Sequence, residues 1–270
     1  MRVDEALRAA PAAGLSRQEA RTLLGALLGC DGAWLIAHGD ALLDAAQQQC
    51  WLDWLRRAAD QEPLAYLSGQ QEFHGLTLQV TRDTLVPRPD TETLVDWALQ
   101  RLPPGGHLVD LGTGSGAIAL AVKHRRPDAH VTATDRSEAA LAVAKDNGRR
   151  LGLSVEWLTG SWWQPLAGRH FDVLLSNPPY IAAGDPHLPA LRHEPLEALS
   201  PGGDGLDDLR RITSGARAHL ACGGWLLLEH GFDQAEAVAD LLSQAGFAQI
   251  QHRQDLAGRI RCSGGTSPAS

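Results

Sequence analysis

The sequence predicts an α/β protein: a doubly wound sheet of parallel strands and crossover helices, preceded by a small helical bundle. Three observations carry this. From residue 107 onward, short apolar strand patterns alternate with helical ones, as βαβ units require. A strand, a glycine turn and a helix follow one another without a break over residues 107–123. Residues 1–70, by contrast, carry only helical periodicity.

Taken in order, the first helical signal is Ser16-Arg17-Gln18-Glu19, a capping box before the apolar run Ala20–Leu28, with Gly29 as the stop. Asp40 is the expected cap of a longer helix reaching Asp60, with Leu42, Leu43, Ala46, Leu52 and Leu55 along one apolar face. Residues 72–80 alternate as a strand or hairpin does. They lead through the stiff loop Leu85-Val86-Pro87-Arg88-Pro89-Asp90-Thr91-Glu92 into a helix from Thr93 to Leu102. Strands are expected at 107–111, 130–135, 155–159, 171–176, 225–230, 247–253 and 259–262. Helices are expected from Ala117, from Ser137 to Leu151 and from Gln234 to Ala245. The tail Ser263–Ser270 is small and polar and is expected to fray. The domain boundaries follow: a helical domain at 1–70, a hairpin and linker at 71–89, and the α/β domain at 90–270.

Composition narrows the function. The chain has 270 residues, 44% hydrophobic, with a net charge of −8, which gives no electrostatic reason to coat nucleic acid. No apolar run approaches membrane-spanning length. Cys30, Cys50, Cys222 and Cys262 lack metal-ligand spacing and suit a reducing compartment, so a cytoplasmic location without a structural metal is expected.

The chemistry concentrates at two places. At Gly112-Thr113-Gly114-Ser115-Gly116, glycines between a strand and a helix let backbone approach a nucleotide-like ligand. Asp135 ends the next strand, where a carboxylate can accept both hydroxyls of a ribose. Gly112-x-Gly114-x-x-Ala117 also satisfies the dinucleotide fingerprint, so at this point a nicotinamide cofactor remains open.

Asn177-Pro178-Pro179-Tyr180, directly after the strand Phe171–Ser176, decides between them. Each proline forces extended backbone on the residue before it and removes an N–H. An NH2 group can donate one hydrogen to the Asn177 side chain and the other to the Pro178 carbonyl, with its plane against Tyr180. Hydride transfer has no use for such a clamp. Methylation of a planar nitrogen does, so S-adenosylmethionine is the expected cofactor.

With these residues the chain resembles the glutamine-N5 methyltransferases of peptide chain release factors over nearly its whole length. The resemblance rests on Glu62–Gly69, Glu72-Phe73, Val86–Glu92, Asp110–Gly116, Asn177–Ile181, Asp185–Leu188, Glu194–Leu196 and Leu227–Gly231. It implies a Rossmann-like domain of seven strands behind a helical substrate-recognition domain, and methylation of the glutamine in the Gly-Gly-Gln loop of bacterial release factors, acting as a monomer. It also implies cofactor binding by Gly112, Thr113, Gly114, Ser115, Gly116, Asp135, Trp162 and Asn177. Many relatives carry an acidic residue where Ser161 stands, so adenine is expected to meet Trp162 and backbone. Asn177, Pro178 and Tyr180 are the expected catalytic residues, with Pro179 completing the substrate contact. Arg88 and Glu92 read equally as pocket residues or as a loop tether, and Glu194 and Glu229 as structural carboxylates or as groups that orient active-site loops. An adenine-N6 DNA methyltransferase uses a similar clamp on a flipped base, but the acidic balance and the absence of a basic stripe speak against it.

Overall fold

The structure, a computed structural model, describes residues 1–268. They fall into two compact units divided between Gln70 and Gln71.

The first unit holds α1 (Val3–Ala9), α2 (Arg17–Leu28), α3 (Gly32–Ala37), α4 (Ala45–Ala59) and α5 (Leu64–Ser68). The capping box before α2 forms as read. Ser16 Oγ accepts from the Glu19 amide at 3.2 Å, Glu19 accepts from the Ser16 amide at 2.8 Å, and Gly29 ends the helix at φ 65°. The cap expected at Asp40 is instead Asp44. Its carboxylate accepts from the Gln47 amide at 2.8 Å, while Gln47 Oε1 accepts from the Asp44 amide at 2.9 Å. A capping box needs an acceptor three residues before a Glu or Gln, and Asp40 has Leu43 in that place. The expected apolar face shifts with the cap. Leu42, Ala46 and Leu52 are exposed, and Trp51 is the buried anchor, donating its indole N–H to the Ala6 carbonyl at 3.2 Å.

The boundary falls at the first residue of the hairpin β1 (Gln70–Phe73) and β2 (Leu76–Gln79), which the second unit follows with α6 (Glu92–Arg101). The hairpin is no loose linker. Phe73, Leu76 and Leu78 are buried in the same cluster as Leu94 and Trp97 of α6. There follow β3 (His107–Leu111), α7 (Ala117–Arg125), β4 (His130–Asp135), α8 (Glu138–Leu151), β5 (Glu156–Thr159), β6 (Phe171–Ser176), α9 (Leu196–Leu199), α10 (Asp207–Ala216), β7 (Leu220–Glu229), α11 (Ala235–Gln244), β8 (Ala248–Gln254) and β9 (Ile260–Thr266). The seven larger-sheet strands lie in the order β5-β4-β3-β6-β7-β9-β8. Alternating side chains feed two layers. Leu108, Val173 and Leu175 pack with α6 and α7, whereas Val109, Leu174 and Leu226 pack with α10 and α11.

Two expectations fail here, for related reasons. The sheet is not wholly parallel, because β9 runs antiparallel to both β7 and β8. The turn between β8 and β9 is far shorter than the dozen or so residues a parallel crossover needs. The tail expected to fray is largely strand. Ser263 has no accessible surface, and β9 continues to Thr266. Its small residues are required by close packing: a Cβ on Gly264 would lie 2.5 Å from the Leu226 carbonyl oxygen. The remainder of that tail, Ala269 and Ser270, lies outside the described residues. Among the described residues no helix is long and apolar enough to cross a membrane.

Candidate active site

The chain leaves β3 for β4 and β5 on one side, then returns to β6 and β7 on the other. The reversal lies between β3 and β6, and ligands of open α/β sheets bind at such a switch point, beyond the carboxyl ends of the strands. Register puts the chemistry there. Leu111 pairs with Ser176 and with Thr134, so Gly112 and Asn177 are the next residues on adjacent strands. The Ser176 hydroxyl ties the two ends together by donating to the Leu111 carbonyl at 2.7 Å.

A cavity of about 490 Å³ opens at this point. Gly112, Gly114, Asp135, Ser161, Trp162, Asn177 and Pro179 all line it. Gly112 and Gly114 have φ of 73° and 56°, the left-handed region that glycine tolerates best. Asp135 accepts from the Gly114 amide at 2.8 Å and the Ser137 amide at 2.9 Å, which fixes its carboxylate at the rim with further lone pairs free. Trp162 is itself left-handed, with φ 48°, and its ring lies 3.3 Å from where a Cβ on Gly112 would stand. That strained backbone separates the two tryptophans. Trp163 turns away, stacks on His219 and donates to the Arg211 carbonyl at 3.2 Å.

Thr113, Ser115 and Gly116 shape the turn without lining the cavity. Thr113 is buried and donates to Asp110 at 2.5 Å, and Ser115 is buried with its carbonyl accepting from Asn147 at 3.0 Å. A Cβ on Gly116 would meet Trp157, Leu120 and Ala144 at 3.0–3.1 Å, so this glycine serves helix–sheet packing. Asn147 was not legible in the sequence. From the middle of α8 it also pairs with both backbone groups of Gln79, at 2.7 and 2.9 Å, and so joins the hairpin to the glycine turn.

In the Asn-Pro-Pro-Tyr segment, Asn177 Nδ2 donates to the Thr91 hydroxyl at 3.2 Å. Among the described residues no protein donor pairs with Asn177 Oδ1 or with the Pro178 carbonyl. Neither Pro178, which is buried, nor Tyr180 lines the cavity; the Tyr180 hydroxyl donates to Glu229 at 3.4 Å and its carbonyl accepts from Gln234 at 3.0 Å. Gly205 packs so close that a Cβ there would stand 2.4 Å from that carbonyl oxygen. Burial lifts the Glu229 carboxyl to about 7, against the Thr91 hydroxyl and the Arg261 guanidinium, which favour its charged form. Burial also lifts Asp110 to about 7 despite its bond from Thr113, and raises the Tyr180 phenol, with Glu229 adding to the effect.

Arg88 and Glu92 resolve as tethers. Arg88 pairs with the buried Glu194, whose other oxygen accepts from the Val86 amide at 3.1 Å, and Glu92 accepts from the His74 amide at 2.8 Å. The Glu194 pair anchors the segment whose next residues, Pro195–Ala198, line the cavity, as do Arg82–Leu85. Among the described residues no group of three or more His, Cys, Asp or Glu could hold a metal ion.

A sheet reversing at the glycine turn, with an acceptor-rich Asn-Pro-Pro-Tyr beyond the fourth strand of the series, defines a methyltransferase. The family model for the methyltransferase small domain matches residues 90–206, and that for the PrmC N-terminal domain matches residues 3–69. The chain is 48% identical over 268 residues to the release factor glutamine methyltransferase of Xylella fastidiosa, covering 97% of this chain and 98% of that one. It is also 48% identical to the protein of that name from Bordetella pertussis, covering 93% and 95%. It belongs to the release factor glutamine methyltransferase family. A methyltransferase from Pyrococcus furiosus shares the fold, with a TM-score of 0.57 at 19% identity, covering 83% of this chain and all of that one.

Proposed function

We propose that this protein uses S-adenosylmethionine to methylate the side-chain amide nitrogen of the glutamine in the Gly-Gly-Gln loop of bacterial peptide chain release factors, and so modulates translation termination. The observation that carries the reading is Asn177 lining a glycine-lined cavity, with an Oδ1 that no described donor claims and the donor-free Pro178 carbonyl next to it in the chain. The names of the relatives support the choice of a release factor as the substrate.

The cavity's lining fits the cofactor. Gly112 and Gly114 leave room for it, Asp135 offers acceptors to a ribose, and the Trp162 ring offers an apolar face to adenine, with Ser161 beside it. When bound, it supplies a methyl group activated by a sulfonium charge. The chain's task is then to hold a weakly nucleophilic nitrogen. An amide lone pair is delocalised into its carbonyl, so accepting both N–H bonds orients the nitrogen and favours its pyramidal form. Fixed acceptors serve this best where water is excluded, and Pro178 and Pro179 add no donors that would compete. Tyr180 follows the pair in the chain and is held by its hydrogen bond to the buried Glu229. Residues 1–70 act as the substrate-recognition module, and the enzyme works as a cytoplasmic monomer without metal or nucleic acid.

Incubation with labelled cofactor and, in parallel, a release factor, ribosomal proteins and unmethylated DNA tests the reading. Label is expected on the release factor alone, at the glutamine. Label on a ribosomal protein or on DNA in its place overturns it.

A further inference from the structure

We infer that Thr91 is a positioning residue for the acceptor pair: its hydroxyl sets which end of the Asn177 amide faces the substrate. The inference rests on the function proposed above and deepens it. An asparagine side chain presents an oxygen acceptor or an NH2 donor depending on a half-turn about one bond, and only the oxygen can receive a substrate N–H. Something must choose. Thr91 stands at the start of α6, the place where a threonine hydroxyl ordinarily caps a helix, yet it makes no capping bond. The hydroxyl instead lies 3.2 Å from Asn177 Nδ2 and is nearly buried, at 4% exposure of the residue.

In that contact the Asn177 NH2 donates and the buried Thr91 oxygen accepts. The NH2 end is thereby held inward and Oδ1 is left for the substrate. Pro89-Asp90-Thr91, one turn of 3-10 helix, presents the hydroxyl to Asn177. The loop before α6 therefore serves the catalytic asparagine directly.

The test compares Thr91→Val, which keeps the shape and removes the hydroxyl, with Thr91→Ser, which keeps the hydroxyl, in the full chain. Thr91→Ala takes the place of valine should that variant fail to fold. Two readouts are taken. In NMR spectra, the Asn177 side-chain NH2 is expected to exchange slowly with water in the wild type and Thr91→Ser, and quickly without the hydroxyl. In turnover with a release factor, loss of the hydroxyl is expected to lower kcat about 10–100-fold. Cofactor affinity should not change, serine should restore the rate, and no further loss should follow when Asn177 is already alanine. Unchanged amide exchange, or a full additional loss in the Asn177→Ala background, overturns the inference. A wild-type protein that leaves release factors unmethylated overturns the proposed function instead, and the exchange measurement still decides the role of Thr91.

Discussion

Glu229 ends β7 almost without solvent contact, and burial lifts its carboxyl from 4.5 to about 7. Between those values the folded chain holds a proton that the unfolded chain has released. The contribution of this group to stability is therefore full below about pH 4.5 and is lost as pH rises through about 7. Glu229→Gln is neutral throughout, so urea unfolding at pH 5 and pH 8 should lose less stability on the alkaline side, by up to about 1.4 kcal/mol per pH unit. Parallel pH profiles for variant and wild type would contradict this origin. Single residues also mark the limit of what the chain reveals before it folds. Gly112, Asp135 and Asn177 are legible because their chemistry is local, a glycine turn or a strand end. Trp162 and Trp163 are told apart only by a left-handed backbone at Trp162. Thr91 is hidden because its partner stands 86 residues away.

Elements were legible where their signals repeat along the chain and less so where a neighbour decides. Ser16-x-x-Glu19 and the strands at 107–111, 130–135 and 171–176 form as read. Helix α4 starts later than expected because two aspartates compete for the cap and only Asp44 has a glutamine three residues on. The second half of strand β9, beyond the expected 259–262, was obscured by composition: Ser263-Gly264-Gly265-Thr266 carries no apolar signal, yet lies between β7 and β8. Its glycines are there for space. Gly264→Val would press a side chain on the Leu226 carbonyl, the Leu227 side chain and the Trp97 ring, and should destabilise by at least about 2 kcal/mol. Thermal unfolding should show a lowered Tm. A Tm equal to that of the wild type would mean that β9 is not held as closely as described.

At the scale of the molecule, each unit carries its own core. Val3, Leu23, Leu35 and Trp51 belong to one cluster, and Phe73, Leu94 and Leu120 to another. A chain beginning at Gln71 should thus fold, bind S-adenosylmethionine as the whole protein does, and lose affinity for release factors, measurable by calorimetry. Equal affinity in the shortened chain would remove residues 1–70 from recognition. The central claim is that Asn177 and Pro178 grip the glutamine carboxamide for methyl transfer. Its most direct test is single-turnover methylation of a release factor by wild type and Asn177→Ala, followed by mass spectrometry of the glutamine peptide. The expected result is a single methyl group on the glutamine nitrogen, formed about 10²–10³-fold more slowly by the variant, with cofactor affinity retained. Methylation by Asn177→Ala at close to the wild-type rate would contradict the account.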